Sequence, residues 1–321
     1  MKNVAIIEGG YSHEKAISLK SAETVFQNID RTRYNPIKVR IDEQGWFAYN
    51  TQGKHEINRV DFSFNTTTFD VAFIMIHGTP GEDGKLQAYF DMLSIPYTSC
   101  GHLAATITFN KFVCNRYLKT FGIKVADAVL TRKNDPINTA KIVAQVGLPC
   151  FVKPADGGSS FGISKVEKKE GLEDAIKLAL THGTQVIIES FMKGKEVTNG
   201  VFKAREGTVV LPVTEIITAN DFFDFDAKYK GESKEITPAM LPNELTQKIK
   251  NTTQQIFEWL DLKGIARADY IIQEGEPYLI EINTVPGMSD KSLIPQMAQC
   301  EGIALKDLLN KVMLVALNNE E

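Results

Sequence analysis

The sequence predicts a mixed fold class, with an α/β region first and α+β regions after it. Apolar runs of strand length alternate with helical runs over the first third, whereas several strands follow one another in the last third. Alternating elements are typical of a parallel sheet, and consecutive strands are typical of an antiparallel sheet. A chain of 321 residues has room for about two domains with a substantial core.

The first region should be a doubly wound sheet that binds its ligand at one edge. VAII at 4–7 is a buried strand that ends at the Gly9–Gly10 turn, and the next strands are NPIKVRI at 35–41 and FDVAFIMIHG at 69–78. Ligands of such sheets lie beyond the carboxyl ends of the strands. The glycine turn and the HGTPGEDG loop at 77–84 should therefore share one crevice.

Two helices are expected in this region. The first has Ser12 as its N-cap, and its apolar stripe consists of Leu19, Ala22, Phe26 and Ile29. The second covers LQAYFDML, directly after the second glycine loop.

The rest of the chain divides into a small α+β unit and a larger, mostly antiparallel block. For the small unit we expect helices through NKFVCNRYLKTFG, before Gly147 and from Leu172 to Leu180, and strands at VADAVL, FVKP, ISKVEKK and QVIIES. The larger block has strands at VTNGVFK, TVVLPVTEI, IARADYIIQ and PYLIEIN, with a hairpin turn at EGEP. Its long helix presents Leu245, Ile249, Ile256 and Trp259 on one face, and two helices follow. The predicted domains are residues 1–100, 101–186 and 187–321.

Composition indicates an ordinary globular protein that acts on small molecules. The net charge of -4 gives no basic footprint for nucleic acid. Four well-separated cysteines form no C-x-x-C pair, so we expect reduced thiols in a cytoplasmic protein. The first residues contain too few apolar side chains for a signal peptide, and no apolar run reaches the ~20 residues of a membrane span. We therefore expect a soluble protein without membrane contacts.

The stretch FVKPADGGSSFG at 151–162 suggests phosphate binding. It is not a P-loop, because Lys153 precedes the glycines instead of following them. Its submotif GSSFG matches a nucleophile elbow at Ser160, but a strand-like run follows and His182 is the only later histidine. A loop that closes over a phosphate and a surface hairpin with an incidental lysine both fit this stretch.

Two pairs of polar residues with i, i+2 spacing indicate a metal site. Arg267 and Asp269 lie on one predicted strand, and Glu281 and Asn283 lie on the next. Each pair points to one sheet face, and the hairpin turn should bring the pairs together. Carboxylate and amide oxygens suit magnesium beside a phosphate. The alternative is a solvated sheet face with an internal Arg–Asp pair.

Taken together, these motifs resemble the ATP-grasp superfamily. The resemblance rests on Lys111, VKP at 152–154, the GGSSFG loop, IIES with Glu196 after it, GIARADY and EINTVPGMS. More narrowly, the chain resembles the D-alanine:D-alanine ligase family over nearly its whole length. The motifs, in sequence order, are GGYSHEKAISL, HGTPGEDG, PYTSCG, FDFDAKY and NTVPGMSDKSLIP.

The resemblance implies an ATP-grasp fold behind an N-terminal parallel-sheet domain, with ATP and two Mg²⁺ or Mn²⁺ ions. It implies ligation of two D-alanines through an acyl phosphate for peptidoglycan precursors, by a homodimeric enzyme of the cytoplasm. Ligases of the same fold with D-lactate or D-serine as acceptor stay open, and a hydrolase using Ser160 is the alternative from another class.

Each site residue follows from the same resemblance. The residues implied to bind ATP are Lys111, Lys153, Ser160, Glu189, Ser190, Phe191, Met192, Glu196 and Lys228. The implied metal ligands are Asp269, Glu281 and Asn283, and the implied catalytic and substrate residues are Glu14, Ser159, Tyr229, Arg267, Gly287 and Ser292. The loops at 156–162 and 221–238 are expected to close over the ligands. His77 is expected to act behind the reacting groups, and Glu8 departs from the small or apolar residue expected before the glycine pair.

Overall fold

The computed structural model describes residues 1–157, 162–218 and 233–317. Three sheets organise this part of the chain, and each is covered by helices. The first sheet has the strand order β4-β3-β2-β1-β5, the second has β6-β9-β7-β8, and the third has β12-β11-β10-β13-β14.

The first sheet contains the expected parallel strands and two strands that the sequence analysis missed. Its strands are β1 (Lys2–Gly9), β2 (Tyr34–Asp42), β3 (Gly45–Asn50), β4 (Gly53–Glu56) and β5 (Val71–Ile74). β1 runs parallel to β2 and β5, whereas β3 and β4 form an antiparallel extension. The run expected at 69–78 forms a strand only over β5, because the chain then turns into the second glycine loop.

The Gly9–Gly10 turn needs glycine at both positions. Gly9 has φ +104° and Gly10 has φ +95°, which L side chains rarely adopt. A Cβ on Gly9 would lie 2.5 Å from the Ile41 carbonyl oxygen, and one on Gly10 would lie 2.6 Å from Ile76 Cγ2. The chain therefore leaves β1 in direct contact with its neighbouring strands.

Helix α1 (Lys15–Asn28) follows this turn, and its start and its buried face differ from the prediction. The N-cap position is Glu14, not Ser12, although the Ser12 hydroxyl accepts a hydrogen bond from the Glu14 backbone N–H. Its buried residues are Ser18, Ser21, Ala22 and Val25, while Leu19 and Phe26 are only partly buried. Apolar spacing could not predict this face because two of its members are serines.

The second sheet is antiparallel and small. Its strands are β6 (Ala128–Arg132), β7 (Cys150–Pro154), β8 (Ser164–Val166) and β9 (Gln185–Ser190). Helices α5 (Thr139–Val146) and α6 (Leu172–Leu180) pack against it, as expected. Along the chain, three helices come between the strands of the first sheet and those of the second: α2 (Lys85–Met92), α3 (His102–Phe109) and α4 (Lys111–Lys119). Of these, α3 was not predicted.

The third sheet is antiparallel and carries the hairpin expected at EGEP. Its strands are β10 (Lys195–Ala204), β11 (Gly207–Thr218), β12 (Ser233–Ile236), β13 (Ile265–Gln273) and β14 (Glu276–Asn283). Its helices are α7 (Asn243–Trp259), α8 (Leu293–Cys300) and α9 (Leu305–Ala316). On α7 the expected Trp259 is exposed and stacks on Phe121, and Phe257 takes the buried place instead. β12 was not predicted.

Packing joins the first and third sheets. One core contains strand residues of the first sheet together with Leu308, Val312 and Met313 of α9 and Ile294 of α8. The expected division into three domains stays a prediction, and its boundary between residues 186 and 187 falls within β9. Among the described residues, no helix is both long and apolar enough to cross a membrane.

The four free cysteines differ in accessibility, which gives a first test of the fold. Cys300 is exposed, while Cys100, Cys114 and Cys150 are buried. Burial raises the pKa of Cys100 and Cys114 to about 12, so neither thiol forms the reactive thiolate near neutral pH. We expect Ellman's reagent to modify one thiol of the native protein quickly at pH ~8 and all four after unfolding. Cys300→Ser should remove the fast reaction, and fast reaction of a second thiol would contradict this packing.

Candidate active site

A cleft of about 850 Å³ opens where the three sheets meet. It is lined by residues of the first glycine turn, the second glycine loop, α4, β7, β9 and the third sheet. Ten of the predicted site residues line it: Glu14, Lys111, Lys153, Glu189, Ser190, Phe191, Met192, Glu196, Asp269 and Glu281. The structure thus brings together residues that are far apart in the sequence.

The two predicted phosphate lysines are each held by a carboxylate. Lys111 Nζ, at the start of α4, lies 3.0 Å from Glu281 Oε2 and donates to the Gly157 carbonyl at 2.7 Å. Lys153 Nζ, on β7, lies 2.5 Å from Glu189 Oε2. Burial disfavours the charge of Lys111, but Glu281 outweighs this effect, and the pKa of Lys111 is raised. Lys111 is therefore positively charged at neutral pH.

Asn115 supports this lysine pair and was missed by the sequence analysis. It lies one turn after Lys111 on α4, and its side-chain amide donates to the Ile280 carbonyl at 3.2 Å. The same amide approaches Glu189 Oε1 at 3.5 Å. Its i, i+4 spacing from Lys111 was the available signal.

The predicted metal ligands lie on one face of the β13–β14 hairpin. Asp269 pairs with Glu281, and Arg267 pairs with Asn283. A bulge at Ile280 is needed for this register, because Tyr270 pairs with Leu279 and unbroken pairing would set Asp269 opposite Ile280. The sequence analysis predicted that the pairs meet but did not predict the bulge.

Asp269 is the most heavily bound of these groups. Arg267 donates to both of its carboxylate oxygens at 2.8 Å, and Asn283 Nδ2 donates at 3.1 Å. Thr198 on β10, which the sequence analysis missed, donates to it at 2.5 Å. The set of two carboxylates and an amide offers hard oxygen donors close to two lysines. This chemistry fits a magnesium-type cation that also binds phosphate.

The two glycine loops lie side by side, as predicted. The Tyr11 N–H donates to the Thr79 carbonyl at 3.0 Å, and the Ser12 hydroxyl donates to the His77 carbonyl at 2.7 Å. Glu14 follows directly and faces the cleft near Gly78.

Glu8 does not face the cleft. Its side chain is 2% exposed and accepts two hydrogen bonds from Arg40, at 2.6 and 3.0 Å. β1 and β2 are neighbours in register at these two residues. The Glu8 carboxylate is therefore accommodated at this buried position by an ion pair with Arg40 on the neighbouring strand.

His77, Glu82 and Ser21 connect the N-terminal sheet to the loop after β14. Glu82 accepts hydrogen bonds from the Gly78 N–H at 2.7 Å and from the Val285 N–H at 3.3 Å. Burial, with repulsion from Glu14, raises the pKa of Glu82 to about 8. Burial also lowers the pKa of His77, which places a neutral imidazole behind the cleft, as expected.

The loop after β14 places Gly287 and Ser292 next to each other. A Cβ on Gly287 would lie 2.8 Å from the Ser292 hydroxyl oxygen. Ser292 also contacts the Ser289 hydroxyl at 2.8 Å and takes the N-cap position of α8. Neither Gly287 nor Ser292 lines the cleft proper, and the same holds for Arg267 and Asn283.

At the other end of the cleft, β9 and the residues after it carry the implied ATP-binding residues 189–192. The Ser190 hydroxyl accepts from the Asp127 N–H at 3.1 Å, and the Phe191 ring lies 5.9 Å from the Phe151 ring. Beside Glu196, Lys195 Nζ lies 2.8 Å from Glu215 Oε1, a pair that the sequence analysis did not select. The predicted residues Ser159, Ser160, Lys228 and Tyr229, and most of both predicted closing loops, lie outside the described residues.

Comparison with known proteins agrees with this geometry. The sequence model described as D-ala D-ala ligase N-terminus matches residues 3–100, and the one described as D-ala D-ala ligase C-terminus matches residues 117–314. A D-alanine--D-alanine ligase of Parabacteroides distasonis is 47% identical, over 100% of this chain and 99% of the relative.

Solved structures of the same kind cover nearly the whole chain. The VanG D-Ala:D-Ser ligase from Enterococcus faecalis has a TM-score of 0.88 at 31% identity, covering 97% of this chain and 98% of that one. The D-alanine--D-alanine ligase from Bacillus anthracis complexed with ATP has a TM-score of 0.83 at 26% identity, covering 99% and 98%. The fold is thus that of the ATP-grasp ligases, and the chain belongs to the D-alanine--D-alanine ligase family.

Proposed function

We propose that this protein joins two D-alanines into D-alanyl-D-alanine at the expense of ATP, for the synthesis of peptidoglycan precursors. One observation carries the proposal: the Asp269–Glu281 carboxylates and the lysines Lys111 and Lys153 share a cleft with Glu14. The 47% identity to a D-alanine--D-alanine ligase over the full length of this chain supports the same reaction.

The reaction has two steps with balanced bonds. In the first step, a carboxylate oxygen of one D-alanine attacks the γ-phosphorus of ATP, and ADP leaves with the electrons of the broken P–O bond. In the second step, the amine of another D-alanine attacks the carbonyl carbon of the acyl phosphate. Inorganic phosphate then leaves, and the attacking nitrogen loses its proton.

The nucleotide end of the cleft supports the first step. Lys111 and Lys153 would exchange their carboxylate partners for phosphate oxygens, since both are buried beside the cleft and each already contacts an anionic group. The hinge of Glu189, Ser190, Phe191 and Met192 would hold adenine, and Glu196 would bind the ribose. Ser159 and Ser160 would cover the phosphates, and Lys228 with Tyr229 would close the second loop over the site.

Asp269, Glu281 and Asn283 would hold the cations, two Mg²⁺ or Mn²⁺ ions by family resemblance. When bound, such ions neutralise the charge of the transferring phosphoryl group. Glu281 is positioned for this role because it already lies beside the phosphate lysine Lys111.

Glu14 in the cleft, with residues next to the cleft that do not line it, supports the second step. Glu14 would bind the ammonium of the first D-alanine, and Ser292 with the backbone of Leu293 would seat the carboxylate of the second. Arg267 and the Gly287 N–H would stabilise the oxyanion of the tetrahedral intermediate. The close packing of Gly287 and Ser292 supports this assignment, because a Cβ on Gly287 would lie only 2.8 Å from the Ser292 hydroxyl oxygen.

We also propose a homodimer that works in the cytoplasm. Two exposed apolar side chains support self-association: Met92 is 86% exposed and Leu103 is 65% exposed, and each is the sequence neighbour of a residue of the Asp91–His102 hydrogen bond. The use of ATP and the four free thiols support the cytoplasm. Sedimentation of the purified protein measures the oligomeric state directly.

The product assay tests the proposed function. With ATP, Mg²⁺ and D-alanine, we expect equal amounts of phosphate and D-alanyl-D-alanine, and we expect D-lactate and D-serine to be poor acceptors. Glu281→Gln should abolish turnover, because it removes a metal ligand and the partner of Lys111. Preference for D-lactate or D-serine would overturn only the proposed acceptor specificity, not the ATP-dependent ligation. Loss of turnover in Ser160→Ala, with Glu281→Gln fully active, would favour a serine hydrolase instead.

The donor set predicts the metal dependence. Hard oxygen ligands favour Mg²⁺ or Mn²⁺. Zinc sites, in contrast, usually include softer nitrogen or sulfur ligands. We expect EDTA to stop turnover, excess Mg²⁺ to restore it and a zinc-selective chelator to have no effect. Calorimetry should also show that Mg²⁺ strengthens nucleotide binding, and that Asp269→Asn weakens this coupling. Inhibition by the zinc chelator with Mg²⁺ in excess would contradict the assignment.

Gly287→Ala tests the oxyanion donor. The new methyl group would meet Ser292 at 2.8 Å, so the loop must shift and carry the N–H away from the reacting carbonyl. Losing one such donor typically lowers the rate ~100- to 1,000-fold, and we expect kcat to fall in this range while nucleotide affinity is kept. Gly101→Ala is the matched control, because its Cβ meets nothing within 4 Å and its φ of -63° suits alanine. Equal activity of both variants would rule out the assignment.

A further inference from the structure

The loop that carries Gly287 is held by side chains from the opposite end of the chain. The Ser21 hydroxyl oxygen, on α1, accepts a hydrogen bond from the Met288 N–H at 3.1 Å, across 267 residues of sequence. Ser21 is 0% exposed. Met288 directly follows Gly287, so this bond fixes the peptide plane between the two residues.

Ser21 also takes part in a closed ring of hydrogen bonds. Its hydroxyl lies 3.3 Å from His77 Nε2, and His77 hydrogen-bonds the backbone of Val285. A neutral imidazole has one N–H donor and one acceptor nitrogen. If the N–H serves the Val285 carbonyl, the other nitrogen accepts the Ser21 hydroxyl proton. These hydrogen bonds attach to the loop at Val285 and at Met288, so they hold it on both sides of Gly287.

We propose that Ser21 is a positioning residue for the ligation step, which holds the Gly287 N–H at the place where the oxyanion develops. This inference rests on the proposed function. Ser21 itself touches neither substrate nor nucleotide, and it acts through the Met288 peptide and the His77 ring.

A glycine in this loop needs such an external restraint. Gly287 has no side chain to pack, and glycine has more backbone freedom than any other residue. Ser292 restricts movement of the loop on one side, because its hydroxyl oxygen lies close to the position that a Cβ on Gly287 would take. Ser21 limits it on the other side through Met288. Without Ser21, the Met288 N–H would lose its protein acceptor and the peptide could rotate.

The role is specific to one step of the reaction. Oxyanion stabilisation matters when the second D-alanine attacks the acyl phosphate, but not when the first carboxylate attacks ATP. A residue that only stabilised the fold would affect both steps. The two steps can be measured separately, because reversible acyl phosphate formation moves ¹⁸O between the bridging and non-bridging positions of the β-phosphate of ATP.

The test compares Ser21→Ala with the wild-type protein. A misplacement of about 1 Å can cost ~100-fold in rate, so we expect kcat for dipeptide synthesis to fall ~10- to 100-fold. D-alanine-dependent ¹⁸O scrambling and nucleotide affinity should be kept, because the first step does not use Gly287. Ser21→Cys, which fills similar space with a weaker hydrogen-bonding group, should give an intermediate kcat.

Thr253→Val is the matched control. Thr253 is 1% exposed on α7, and its hydroxyl contacts the Tyr270 hydroxyl at 2.9 Å, in a core away from the cleft. We expect a similar loss of thermal stability in this variant, with dipeptide synthesis and scrambling unchanged. An unchanged kcat in Ser21→Ala, or scrambling that falls in parallel with synthesis, would overturn the role of Ser21. A wild-type protein that makes no dipeptide would instead overturn the proposed function.

Discussion

The register of the β13–β14 hairpin is the constraint on which the rest of the site depends. Successive side chains of a strand point to opposite faces of a sheet, so a one-residue slip would send Glu281 to the far side. The bulge at Ile280 introduces this one-residue change and brings Glu281 opposite Asp269. It is held from outside by Asn115, whose amide donates to the Ile280 carbonyl. The carboxylate site is thus built by a local irregularity that α4 stabilises.

Charge balance then determines how the cleft is kept together. Lys111 pairs with Glu281, Lys153 pairs with Glu189, and Arg267 pairs with Asp269. Buried charges are costly unless each has a partner. In the function proposed above, the same cations and carboxylates would bind the nucleotide and its metal ions. Ligand binding can therefore replace one set of opposite charges by another without leaving a buried charge alone.

Contacts between the N-terminal and C-terminal parts of the chain also hold the site together. The first sheet and helices α8 and α9 share one core, so the loop after β14 lies against α1 and the second glycine loop. Across this contact, Glu82 binds Val285 and Ser21 binds Met288. Glu14 and Gly287, which would act on the two substrates, thereby sit on parts of the chain fixed to each other.

The sequence by itself determined the composition of the site and the class of the fold. Local spacing is enough to predict β1, α7 and the EGEP hairpin, and the motifs identify Lys153, Asp269 and Glu281, because these signals lie within a few neighbouring residues. Tertiary structure alone decided four features: the bulge at Ile280, the buried serines of α1, the hydrogen bond from Thr198 to Asp269, and the Glu8–Arg40 pair. Each of these depends on a partner supplied by a different strand or helix. Such partners lie tens to hundreds of residues away, where neither hydrophobic periodicity nor turn chemistry carries a signal.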